Sequence, residues 1–81
     1  MTEDQILRAL ETIIADIVDQ DSVTLTKDST ADDVDGWNSM AHVRILVATE
    51  KHFGVRFDTR EIGSLDDVGV LVDLIAAKLR D

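Results

Sequence analysis

The chain has 81 residues, no cysteine and a formal net charge of −9. A chain of this length forms one domain, residues 1–81, and without cysteine it has neither disulfides nor thiolate metal sites. Seventeen acidic residues against eight Lys and Arg disfavour binding to nucleic acid and favour partners with basic patches. The acidic start and the short apolar runs predict neither a signal peptide nor a membrane span. We therefore expect a cytoplasmic monomer.

The first predicted element is an amphipathic helix from about Glu3 to Asp19. Thr2 and Gln5 have the spacing of a capping box, in which each side chain binds the backbone N–H of the other residue. The apolar residues that follow recur at three- and four-residue spacing. They form one stripe: Ile6, Leu7, Leu10, Ile13, Ile14, Ile17 and Val18. This periodicity and the absence of proline favour an all-α fold.

Helical periodicity disappears between residues 20 and 38. This segment is rich in Asp, Ser and Thr, which favour turns because their side chains compete for backbone hydrogen bonds. A loop of this length is unusual in a small domain and is often functional. We expect four apolar side chains to hold it against the core: Val23, Leu25, Val34 and Trp37.

A second helix is predicted to begin near Ser39 and to end at Gly54, a residue that can adopt the left-handed conformation found after helix ends. A short helix follows between Asp58, as its cap, and Gly63.

The last helix is predicted to open with Ser64 and Asp67 as a capping box. Its apolar stripe is Leu65, Val68, Leu71, Val72, Ile75 and Leu79. The predicted fold is thus a small all-α four-helix bundle with three main helices, one short helix and a long loop after the first helix.

The segment DVDGWNSMAHV, which starts at Asp33, permits three interpretations, and the first is a calcium loop. With Gly36 at position six of an EF-hand, Asp33 and Asp35 occupy ligand positions three and five. However, Ala31 then occupies position one and His42 position twelve, so two essential ligands are missing. We therefore predict no metal site.

The second interpretation is a catalytic serine, and the third is a helix cap. Ser39 and His42 are three residues apart, but no third member of a triad accompanies them, so we expect no enzymatic activity. Asn38 and Ser39 are both good N-cap residues. A helix N-terminus also stabilises anions, so Ser39 is suited to a phosphate or a phosphodiester link. Spacing alone does not distinguish these roles.

The segment DVDGWNSMAHVRILVATEKHFGVRF resembles the prosthetic-group region of acyl carrier proteins, whose hallmark is Asp-Ser-Leu at the start of the second helix. The likeness includes the acidic loop and the late SLDDVGVLVDLI helix, and it covers essentially the whole chain. The resemblance implies that a phosphopantetheinyl transferase attaches 4′-phosphopantetheine to Ser39. It further implies that the chain presents acyl or aminoacyl groups to acyl-activating or acyl-transferring enzymes.

Several residues depart from the family pattern. Asn38 replaces the usual Asp, and Met40 replaces Leu. Arg44 and Lys51 occupy an outward face that is usually acidic in the family and binds basic enzyme patches. We predict partner recognition through Asn38, Met40, Arg44, Val47 and Lys51, in a specialised pathway and not in housekeeping fatty-acid synthesis. The alternative is an unmodified acidic helical adaptor that docks a basic partner.

Overall fold

The computed structural model describes residues 1–80 and contains four α-helices. These are α1 (Glu3–Ile17), α2 (Ser39–Phe53), α3 (Thr59–Gly63) and α4 (Val68–Leu79). No strand occurs in residues 1–80, which confirms the predicted all-α bundle of three main helices and one short helix. The long loop between α1 and α2 contains one 3₁₀ turn, Ala31–Asp33. Within the described part of the chain, no helix is both long and apolar enough to cross a membrane.

The start of α1 has the predicted capping box. Thr2 Oγ1 accepts a hydrogen bond from the Gln5 N–H at 3.1 Å, and Gln5 Oε1 accepts one from the Thr2 N–H at 2.8 Å. The apolar stripe of α1 faces α2 and α4, both of which pack against it. Completely buried aliphatic side chains from all three helices form the centre of the core: Ile6, Leu10, Ile14, Ile45, Val72 and Ile75.

Helix α1 ends at Ile17, two residues earlier than predicted. The reason is the left-handed conformation of Asp19, whose φ is 61°. This turn lets the Gln20 N–H donate to the carbonyl of Ala15 at 2.9 Å, which satisfies a backbone group at the helix end. Asp is among the few residues that adopt this conformation at modest cost.

The predicted capping box of Ser64 and Asp67 is wrong. Ser64 instead ends α3, where its Oγ donates to the carbonyl of Arg60 at 3.0 Å. Asp67 is the N-cap of α4, and its Oδ1 accepts a hydrogen bond from the Val70 N–H at 2.9 Å. Leu65, which we expected on α4, lies in the connection between the two helices and packs against the core.

The loop between α1 and α2 is held as predicted by its apolar side chains. Leu25 and Val34 are buried, and Val23 and Trp37 are half-buried against the core. Backbone hydrogen bonds join the loop to α4 at 2.8 Å, from Val68 to Ser29 and from Gly69 to Lys27. Because apolar packing and backbone hydrogen bonds both hold the loop, its last residues fix the position at which α2 begins.

Candidate functional site

Asn38 caps the N-terminus of α2. Its backbone is extended, and its Oδ1 accepts a hydrogen bond from the Ala41 N–H at 2.9 Å. The Asn38 carbonyl accepts the first bond of the helix, from the His42 N–H at 2.8 Å. Of the two possible capping residues in the sequence, the structure therefore assigns this role to Asn38.

Ser39 is the first residue of α2, and its side chain is exposed. Within residues 1–80 the Ser39 hydroxyl forms no hydrogen bond, because Asn38 already provides the cap. The backbone N–H groups of Ser39 and Met40 precede the first intrahelical bonds and have no acceptor in the same residues. The helix start thus presents a hydroxyl and two N–H donors to solvent.

A pair of aromatic rings lies beside Ser39. Trp37 Nε1–H donates to His42 Nδ1 at 3.1 Å, and the two rings are stacked with their centroids 6.0 Å apart. Together with Ala31 and Asn38, these two rings and Ser39 line a shallow hollow. The Nδ1 atom of His42 is thus bound to an indole and not oriented by a carboxylate, as the base of a hydrolytic triad is.

The outward face of α2 is apolar and basic, as helical periodicity predicts. Met40 is 78% exposed and Val47 is 45% exposed, whereas Ile45 on the opposite side is completely buried. Arg44 and Lys51 are exposed on the same outward side. The five residues predicted for partner recognition therefore lie on the accessible surface.

Two surface residues were missed by sequence reasoning. Val43, between Met40 and Val47 on the outward face, is 61% exposed. Its three- and four-residue spacing from those residues was the signal available in the sequence. Arg56 lies beyond the end of α2 and lines a hollow with Val47 and Lys51. That proximity depends on the turn at Gly54 and has no periodic signal.

Two charged groups elsewhere on the surface have shifted pKa values. Hydrogen bonds to Asp73 and then to Glu3 raise the pKa of Lys27 above its usual value. A backbone hydrogen bond from Asp58, followed by one from Lys78, lowers the pKa of Glu61. These groups belong to α1, the first loop, α3 and α4, and not to the start of α2. Among residues 1–80, no three His, Asp or Glu side chains cluster in a way that could hold a metal ion.

A four-helix bundle with an exposed serine at the start of its second helix, unbonded to any of residues 1–80, has the architecture of a carrier domain. An acyl carrier protein from Petrotoga mobilis is 36% identical over 81 residues, which cover 98% of this chain and 93% of that protein. The solution NMR structure of a holo acyl carrier protein from Geobacter metallireducens is 37% identical and superposes with a TM-score of 0.85. That alignment covers 93% of this chain and 86% of the other.

No family model matches the chain. The identity and coverage of the relatives nevertheless show that the chain belongs to the acyl carrier protein family. Members of this family are carriers and not catalysts, and their prosthetic group is 4′-phosphopantetheine.

Proposed function

We propose that this chain carries acyl or aminoacyl intermediates on 4′-phosphopantetheine attached to the hydroxyl of Ser39. The observation that supports this proposal is the division of roles at the start of α2. Asn38 caps the helix, so the Ser39 hydroxyl is exposed and has no hydrogen bond to any of residues 1–80. A serine that was needed only as a cap would have its hydroxyl bound to the helix backbone.

The residues around Ser39 fit a phosphodiester. The free N–H groups of Ser39 and Met40 and the positive end of the helix dipole stabilise an anion at this position. When bound, the prosthetic group supplies a thiol that holds the carried group as a thioester, a function that the cysteine-free chain lacks.

A tether raises the effective concentration of the carried group at each partner's active site. The proposed partners are a phosphopantetheinyl transferase and acyl-activating or acyl-transferring enzymes, which a cytoplasmic monomer would meet in turn. We assign their recognition to Asn38, Met40, Arg44, Val47 and Lys51. This face lacks the acidic side chains usual in the family, which favours a specialised pathway over housekeeping fatty-acid synthesis.

Intact mass after co-expression with a broad-specificity phosphopantetheinyl transferase tests the attachment. We expect one added phosphopantetheine on the parent chain and none on Ser39→Ala. The matched control is Ser22→Ala, which removes another exposed serine, in the first loop, and should leave the modification intact. An unmodified parent chain, or addition that persists in Ser39→Ala, would favour the alternative of an unmodified adaptor.

The pathway requires a separate measurement. The protein should be purified from its own host, and the group linked to it as a thioester should be identified by mass spectrometry. We expect a dedicated acyl, hydroxyacyl or aminoacyl group. A mixture of ordinary fatty-acyl intermediates would overturn the specialised role while leaving the attachment to Ser39 intact.

A further inference from the structure

Positive charge on this acidic chain is concentrated in residues 44–60. This segment contains four of the eight Lys and Arg residues and two acids, which gives it a charge of +2. Since the whole chain carries −9, the remaining residues carry −11. The segment formed by most of α2 and the turn that follows it is therefore positively charged, although the chain as a whole is negatively charged.

The cations of this segment form no ion pair with the part of the chain that the structure describes. Within residues 1–80, none of Arg44, Lys51, Arg56 or Arg60 has a carboxylate within 4.0 Å. Three cations outside the segment are paired: Arg8 with Asp4 and Glu11, Lys27 with Glu3 and Asp73, and Lys78 with Glu61.

Glu50 is the only acid within α2, and it is half-buried. Its Oε2 accepts a hydrogen bond from the Phe57 N–H at 2.8 Å, so it stabilises the turn after the helix. The exposed cations of the segment thus remain free to interact with another molecule.

These cations flank an exposed apolar strip formed by Met40, Val43 and Val47. These three are half of the six large hydrophobic side chains exposed in residues 1–80. Val47 and Lys51 line two neighbouring hollows, one shared with Val43 and Arg44 and the other with Arg56. An apolar strip with a charged border has the composition of a protein-binding surface.

We propose that this face of α2 docks a partner enzyme through a surface on which carboxylates surround an apolar side chain. Arg44, Lys51 and Arg56 would contact the carboxylates, while Val43 and Val47 contact the apolar group. This proposal rests on the proposed carrier function and specifies the chemistry of its partner. The proposed partner surface is acidic, whereas the net charge of the chain favours a basic partner.

The two parts of the surface have different roles in docking. The cations at the border raise the association rate and disfavour positively charged surfaces, whereas the central apolar contact supplies most of the affinity. The residues outside the segment, which together carry a net charge of −11, would repel an acidic partner from the other faces of the carrier. Such a partner would therefore approach the carrier on the α2 face.

Two amphipathic helical peptides of identical pattern, one of Glu and Leu and one of Lys and Leu, serve as probes. Each is titrated into the isotope-labelled holo protein and followed by amide chemical shifts. We expect the Glu–Leu peptide to shift resonances of residues 40–56, despite the net charge of −9. The Lys–Leu peptide should shift those of the acidic loop and α1. Reversal of two charges, in Arg44→Glu/Lys51→Glu, should lower the affinity for the Glu–Leu peptide by about tenfold.

The single variant Lys51→Glu should weaken binding of the Glu–Leu peptide in the same direction as the double variant. Arg80→Glu is its matched control, because each variant reverses one exposed cation. It should weaken binding of the Glu–Leu peptide less than Lys51→Glu does, because Arg80 does not line the hollows of the proposed docking surface. Arg44→Ala/Lys51→Ala provides a milder test if charge reversal unfolds the chain, and it should weaken binding in the same direction.

The proposal is overturned if the Glu–Leu peptide does not bind, binds another face, or is indifferent to both double variants. It is also overturned if sedimentation shows a dimer and concentration-dependent amide shifts place its interface on the α2 face. The same titration on Ser39→Ala separates this proposal from the carrier function. If the peptide binds but the parent chain is not modified, the docking surface stands and the carrier function is overturned. If the parent chain is modified but the peptide does not bind, the carrier function stands and the docking surface is overturned.

Discussion

The Oδ1 atom of Asn38 accepts a hydrogen bond from the backbone N–H of Ala41 at 2.9 Å. This one bond caps α2, so the neighbouring Ser39 hydroxyl has no capping role. An aspartate carboxylate could accept the same hydrogen bond, since Asn and Asp are equally good N-caps. The replacement of the family's usual Asp by Asn38 therefore removes a charge beside Ser39 without removing the cap.

We predict that Asn38→Asp speeds modification of Ser39 and does not destabilise the protein. The new carboxylate retains the cap and interacts favourably with the helix dipole by about 0.3–1 kcal/mol. It also restores the charge that transferases meet in the family's usual motif. Time-resolved intact mass gives the rate of modification, and thermal unfolding gives the stability. An unchanged or slower rate would contradict a role for this charge in transferase recognition.

Asn38→Ala is the control for the cap itself. It removes the acceptor for the Ala41 N–H, so we expect a loss of about 0.5–2 kcal/mol in the free energy of unfolding. If Asn38→Ala is as stable as the parent chain, the cap contributes nothing and does not account for the free hydroxyl of Ser39.

The hydrogen bond from Trp37 to His42 should fix the end of the first loop against α2. We predict that His42→Phe, which retains a stacked ring but removes the acceptor, lowers the free energy of unfolding by about 0.5–1.5 kcal/mol. Trp37→Phe removes the donor and should have an effect of similar sign. Urea denaturation followed by circular dichroism measures both variants and the double variant. Strictly additive losses in this cycle would show that the two side chains do not interact.

The positions of the helices were largely predictable, whereas several of their ends were not. Gly54 ends α2 in the left-handed conformation, with φ 68°, as its identity suggested. The roles at helix ends of three residues, Asp19, Ser64 and Asp67, were predicted less well. Each of these side chains can cap a helix, form a turn or continue a helix. Tertiary contacts select among these options, and the hydrogen bonds that Val68 and Gly69 donate to carbonyls of the first loop fix the start of α4.

The exposed serine at the helix start could be predicted because it depends on local sequence. The surface around it could be predicted only in part. Met40, Arg44, Val47 and Lys51 follow the period of one helix, so their common face was evident from the sequence. Arg56 joins that surface across the turn at the end of α2, and only the folded chain brings it there.

Gly69 packs against the backbone of the first loop. A Cβ atom at this position would lie 2.7 Å from the carbonyl oxygen of Lys27, which accepts the Gly69 N–H. We therefore predict that Gly69→Ala separates α4 from the loop and costs about 1–3 kcal/mol, as overpacking of a close contact does. Urea denaturation measures this loss.

Gly63→Ala is the matched control for Gly69→Ala, because Gly63 is also helical. Apart from its chain neighbours and its own helix backbone, no atom of residues 1–80 lies within 4 Å of a Cβ atom added there. This substitution should leave stability unchanged or raise it by up to about 1 kcal/mol, since Ala favours helix over Gly. Equal effects of the two substitutions would show that the approach of Lys27 to Gly69 does not constrain the fold.

The carboxylate of Glu61 should make stability depend on pH in the acidic range. The backbone N–H of Asp58, followed by Lys78, holds the pKa of Glu61 below its ordinary value of 4.5. A lowered pKa in the folded state stabilises the protein above pH 4.5, and this contribution is lost as the pH falls through the folded value. We predict that the melting temperature of the parent chain exceeds that of Glu61→Gln at about pH 6 and that the difference shrinks below pH 4.5. Lys78→Met should reduce this difference without abolishing it, because the Asp58 N–H remains. A difference that is constant with pH would show that the charge of Glu61 does not contribute.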